Sequence, residues 1–176
     1  MAYSILIDLT LLALLLAASV FDLIQRRIPN RLLLAALIAA LGLHLANGTP
    51  MVLLSTCLGG FALGLVMFLP LYMCGAMAAG DVKLMAVVGA FTGPALAFPI
   101  ALASYCFGGV LAIVMALCMR RGRAVLANVG QLLRPLWMRA CGLPLPAAVP
   151  VASVGGMPYA VAISMGTLLV LWLRHS

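Results

Sequence analysis

The stretch Ala79-Gly80-Asp81-Val82-Lys83 sets a carboxylate between two long apolar runs, directly after a glycine and two residues before the only lysine. The chain has three acidic residues, Asp8, Asp22 and Asp81, and no glutamate. An ionisable group at membrane depth costs a few kcal/mol, so it is read first as functional. Asp22 stands in a similar setting, at the end of the first apolar run. Little else in the sequence is equipped to do chemistry.

Outward from these two positions the chain is 66% hydrophobic and only 7% charged over 176 residues. A soluble domain is about half apolar and about a quarter charged, so the composition predicts an all-α integral membrane protein. At about 20 residues per spanning helix, the apolar segments allow about six crossings in one domain, 1–176. The net charge of +7 does not mark a nucleic-acid binder, because the basic residues are dispersed at the ends of apolar runs. That placement fits the excess of Lys and Arg in cytoplasmic loops. Five cysteines (57, 74, 106, 118 and 141) show no C-x-x-C spacing and read as small buried hydrophobes, with no metal site. The N-terminal apolar run lacks a basic leader segment and contains Asp8, so it reads as a retained membrane helix.

The expected spans are 3–21, 31–46, 51–74, 82–92, 95–119 and 158–173. Asp8, near the outer end of the first span, is expected to face the interface or a polar neighbour. Pro29 biases Ile28 towards extended backbone, and Asn30 is a natural cap for the second span. Gly59, Gly60 and Gly64 suit a close helix approach in lipid. The segment after Asp81 is too short to cross a bilayer, and either stops as a half-length helix or continues, kinked, past Pro94. Irregular backbone at that depth needs protein or a wet cavity around it, which places Asp81 at the mouth of one. Pro99 and Gly108-Gly109 interrupt the next span. The apolar periodicity of 123–134 predicts an amphipathic helix lying in the interface, inside a long loop, 120–156. Six crossings put Arg26, Arg27, Arg31, Lys83, Arg120, Arg121, Arg123, Arg134 and Arg139 on one side, and only Arg174 on the other. The basic side is expected to be cytoplasmic, with both termini outside and both carboxylates at the cytoplasmic end.

Two carboxylates brought together by a fold share one proton, so one is a base and the other an acid. That division of labour suits peptide hydrolysis: the base takes a proton from water while the acid polarises the carbonyl under attack. No serine stands at a suggestive spacing from His44 or His175, which lie at the periphery. The competing structural reading pairs Asp22 with Arg26 and Arg27, and lets Asp81 pair with Lys83 or cap its helix.

At these residues a resemblance enters. Asp22 followed by Ile28-Pro29-Asn30 resembles the D-x5-I-P-N motif of type IV prepilin peptidases. Ala78-Ala79-Gly80-Asp81-Val82-Lys83-Leu84 resembles their G-x-G-D-[VIF]-K-[LF] motif, with Ala78 at the first glycine. Met157-Pro158-Tyr159-Ala160 is similar to the P-Y-G segment opening their last span, with Ala160 at the glycine. The resemblance implies a membrane aspartic endopeptidase with Asp22 and Asp81 as the catalytic pair, supported by Ile28, Pro29, Asn30, Gly80, Lys83, Pro158 and Tyr159. It further implies no cofactor and no metal. Larger members carry an extra domain with two C-x-x-C pairs, associated with N-methylation. This chain looks like the short class of tight-adherence (Flp) pilus systems, which cleaves only. The implied partners are prepilins and pseudopilins arriving sideways from the bilayer of the bacterial inner membrane. Anionic lipid is expected at the basic rim, and 123–134 as a guide for substrate.

Three other readings compete. Intramembrane proteases of the presenilin type also use Gly-Asp, and Pro94-Ala95-Leu96 spells their P-A-L triplet, but here it lies 13 residues after Asp81 rather than on a late helix. A small transporter or proton channel would use Asp22 and Asp81 as ion ligands. A non-catalytic assembly subunit would need neither.

Overall fold

The computed structural model describes residues 2–47, 51, 53–118 and 158–176. Its helices are α1 (Ala2–Gln25), α2 (Asn30–Asn47), α3 (Gly59–Met73, entered through a π-helical turn, Leu53–Leu58), α4 (Ala79–Thr92), α5 (Pro94–Cys118) and α6 (Tyr159–His175). No strand occurs among the described residues. Two compact units divide the chain, Met1–Gly108 with Pro158–Ser176, and Gly109–Met157. In the second, the described part is the C-terminal end of α5; the predicted interfacial helix at 123–134, the loop 120–156 and Cys141 lie outside the described residues.

Among the described residues three stretches are long and apolar enough to span a membrane: Ser4–Gln25, Ser55–Met73 and Pro94–Met115. Asn30–Ala46 and Tyr159–His175 are shorter apolar helices. Leu16, Ile24 and Met73 stand 70%, 75% and 78% exposed, a surface that water does not tolerate over a whole bundle but lipid does. The chain is an all-α membrane protein.

The first span outruns its expected end. No residue from Asp22 to Gln25 breaks a helix, so α1 continues until Arg26 turns to φ 51°, and the Arg26 N–H closes the last turn on the Asp22 carbonyl at 3.0 Å. Asp22 is therefore a helical residue, not the start of a loop. Pro29 supplies the carbonyl that accepts from Leu32 N–H and opens α2, while the Asn30 side chain, expected as a cap, is turned elsewhere. Pro99 and Gly108-Gly109, expected to interrupt the fifth span, lie inside a continuous α5. Proline is tolerated in membrane helices when neighbouring groups satisfy the freed carbonyl.

α4 is the axis of the first unit. Asp81, Val82 and every residue from Leu84 to Phe91 are buried. With 14 residues, about 21 Å at about 1.5 Å per residue, it is longer than half a bilayer but short of a full crossing, and it stops rather than kinks: Gly93 adopts φ 77°, and Pro94 starts α5 as a separate helix. Backbone meets backbone where α3 crosses α4. A Cβ on Gly60 would lie 1.9 Å from the Gly89 carbonyl oxygen, one on Gly89 2.1 Å from that of Gly60, and one on Gly64 2.5 Å from that of Met85. Gly59, expected at the same contact, instead meets the Pro94 ring at an ordinary 3.7 Å.

Polar groups away from the crossing are accounted for. His44, expected at the periphery, is buried, and its Nε2 donates to the Ala90 carbonyl at 3.1 Å, tying α2 to the end of α4. Ser104 and Thr167, fully buried, bond back to their own helices through Ile100 and Ile163. Asp8 does find a polar neighbour, His175 Nε2 at 3.1 Å. Of the described cysteines only Cys57 is buried; Cys74, Cys106 and Cys118 are exposed, contrary to the expectation for small hydrophobes.

Candidate active site

One end of the first unit gathers the C-terminus of α1 and the N-termini of α2, α4 and α6. Asp22 occupies the last turn of α1 and is 6% exposed; Asp81 occupies the first turn of α4 and is 5% exposed. The two carboxyl groups stand close enough for the charge of Asp22 to act on Asp81. The main chain at Ala78, just ahead of α4, gives the Asp81 carboxyl a hydrogen bond. Asp22 Oδ2 accepts a hydrogen bond of 2.9 Å from the main-chain N–H of Ala160, in the first turn of α6. Such first-turn amides have no carbonyl partner within their own helix.

The competing structural reading describes this geometry in part: Arg26 acts on the Asp22 charge without forming a salt bridge, and Asp81 accepts from the N-cap main chain at Ala78 as a capping side chain does. Among the described residues no Arg, Lys or His forms an ion pair with Asp22 or Asp81. Lys83 turns away from Asp81 and donates from Nζ to Asn30 Oδ1 at 3.1 Å. Asp81 is buried rather than standing in an open mouth.

The residues singled out around the carboxylates meet one another. Asn30 and Lys83 join α2 to α4. Ile28 packs on Gly80, where an added Cβ would find its side chain at an ordinary 3.6 Å, so space alone does not demand glycine there. Pro158 precedes α6 at φ −72°, and Tyr159 is the first helical residue. The Tyr159 ring fills the space over Gly108, where a Cβ would lie 2.5 Å away, and stands edge-on to Phe68 with centroids 6.0 Å apart. Phe68 in turn stacks on Tyr105 at 4.8 Å, and the Tyr105 hydroxyl donates to the Met67 carbonyl. Sequence reasoning did not single out Phe68 or Tyr105, and it read Gly108 only as an interruption of the fifth span. An aromatic residue in an apolar run looks the same whether it packs in the core or beneath a reactive group.

Among the described residues no three of His, Cys, Asp or Glu gather as metal ligands. What the arrangement offers is a pair of interacting, buried carboxyl groups at the helix ends, each held by a main-chain donor.

A family model described as the type IV leader peptidase family matches residues 9–113, more than half of the chain. The matched region contains both carboxylates and stops short of Pro158. No curated protein and no solved structure matches.

Proposed function

The chain belongs to the type IV leader peptidase family, and from that premise we propose that it is an aspartic endopeptidase in which Asp22 and Asp81 carry the reaction. The observation that supports this most is two buried carboxylates near enough to interact, neither of them in a salt bridge among the described residues. One carboxylate takes a proton from water as the water oxygen bonds to the scissile carbonyl carbon. The other, protonated, hydrogen-bonds to the carbonyl oxygen. Collapse of the tetrahedral intermediate breaks the C–N bond, and a proton passes to the leaving amine. Because the two groups titrate as a unit, the shared proton belongs to the pair.

The proposed substrates are prepilins of the Flp type and related pseudopilins, cut between a short basic leader and a hydrophobic helix that arrives through the bilayer. The reading places the protein in the bacterial inner membrane with the carboxylates towards the cytoplasm. Arg26, Arg27, Arg31 and Lys83 at that end support the orientation, and anionic lipid headgroups are their proposed partners. Segment 123–134 is proposed to guide the substrate. Cleavage alone is proposed, so the mature product carries an unmethylated N-terminus, which its mass reports.

Co-expression with an Flp-type prepilin tests the reading. Asp22→Asn and Asp81→Asn, present at wild-type membrane levels, are each expected to lower the cleavage rate by at least about 1,000-fold. Processing that survives either change overturns the catalytic pair. An Asp-dependent ion flux into vesicles without proteolysis would favour a transporter instead.

A further inference from the structure

We propose that the first turn of α6 is a positioning device for Asp22: the Ala160 main-chain N–H fixes the carboxylate, and Tyr159 anchors the turn that carries it. The proposal rests on the reading of Asp22 as a catalytic carboxylate.

Asp22 sits where its own helix is about to end, since the backbone reverses at Arg26 (φ 51°). Its orientation is therefore set from outside α1. The 2.9 Å bond from Ala160 does this from a site that is itself fully buried. It occupies Oδ2 and leaves Oδ1 to meet a water molecule.

The donor is held as firmly as the carboxylate. Tyr159, one residue earlier, lies over Gly108, meets the edge of Phe68 and directs its hydroxyl to the Ser104 carbonyl at 3.4 Å. One turn further on, Ser164 Oγ lies 2.8 Å from Ser19 Oγ on α1. Next along, Gly166 lets Ser104 approach so closely that a Cβ would stand 2.6 Å from its Oγ. These contacts pin α6 to α1 and α5 around the turn that holds Asp22. A carboxylate displaced by about 1 Å loses about two orders of magnitude in rate, so this fixing matters to the chemical step and not to substrate affinity.

A helix cap alone is the other role open to this bond, and the test separates the two. Ala160→Pro removes the N–H within the first turn, at its second position, and biases Tyr159 away from helical backbone. In the full chain in membranes, with an Flp-type prepilin as substrate, kcat is expected to fall about 10- to 100-fold while KM stays within about two-fold. Tyr159→Ala is expected to do the same, and Tyr159→Phe, which keeps the ring, to recover most of the loss. Hydrogen exchange reads the bond directly in the folded protein. Asp22→Ala should speed exchange in the peptide covering residues 159–162 by about 10-fold or more. Folded Ala160→Pro with wild-type kcat overturns the proposal, as does exchange that ignores Asp22→Ala. If Ala160→Pro does not fold, the exchange result decides. Should exchange respond while Asp22→Asn still cleaves, the bond is a cap and the reading of Asp22 as catalytic has failed.

Discussion

Lys83 donates to Asn30 at the exposed end of α4, although Asp81, with the opposite charge, lies two residues away on the same helix. Residues two apart point about 200° apart around a helix, so Lys83 reaches across to α2 while Asp81 faces inward. Asp81 is left without a salt bridge, which suits the proton sharing with Asp22 that the proposed reaction requires. A double-mutant cycle with Asn30→Ala and Lys83→Met is expected to show a coupling of about 0.5–1 kcal/mol in thermal unfolding, small because the bond is exposed. Additive losses would mean that the bond contributes nothing. The same geometry explains what a sequence can and cannot disclose at this scale. Asp22 and Asp81 stand out because a charge in an apolar run demands a reason. The partner of Asp22 is a main-chain N–H 138 residues away, and a main-chain group leaves no mark on residue identity. His44 likewise looked peripheral, because its acceptor is the Ala90 carbonyl.

At the scale of elements, α4 is positioned by the loss of side chains rather than by their presence. With Gly60 and Gly89 in reciprocal contact, the axes of α3 and α4 approach until carbonyl oxygens take the space a methyl would need. A backbone oxygen cannot rotate away as a side chain can. Gly60→Ala and Gly89→Ala are each expected to destabilise the bundle by about 2–3 kcal/mol in detergent thermal unfolding, by forcing the helices apart. Gly42→Ala, with nothing within 4 Å of the added carbon, is expected to change nothing measurable. Equal effects at Gly42 and Gly89 would remove the close crossing as an explanation. Gly60 and Gly64 were legible as packing glycines from their spacing within one run, but Gly89 was not, because its role depends on which helix faces it. The limits of α4 were legible in part. The chain is too short there to cross a bilayer, yet only the positive φ of Gly93 decides that the helix stops instead of bending.

Across the whole first unit, α1 and α6 carry opposite chemistry at their two ends. Asp22 meets Ala160 at one, and Asp8 meets His175 at the other, so the two helices run antiparallel along each other's length. α1 has 24 residues, about 36 Å at about 1.5 Å per residue, which matches a hydrocarbon core of about 30 Å. The two ends therefore belong to opposite faces of the membrane. Arg26, Arg27, Arg31 and Lys83 cluster at the Asp22 end, whereas Arg174 and His175 lie at the other. This asymmetry supports the proposed orientation, with the carboxylates towards the cytoplasm. A membrane-impermeant thiol reagent applied to intact cells, on a background freed of native cysteines, is expected to label Ser176→Cys and not Arg27→Cys. Inside-out vesicles should reverse the pattern. Labelling of Arg27→Cys from outside would put the carboxylates on the far face, where a leader peptide still in the cytoplasm cannot meet them. The catalytic pair could then survive as chemistry, but not the proposed cleavage on the cytoplasmic side.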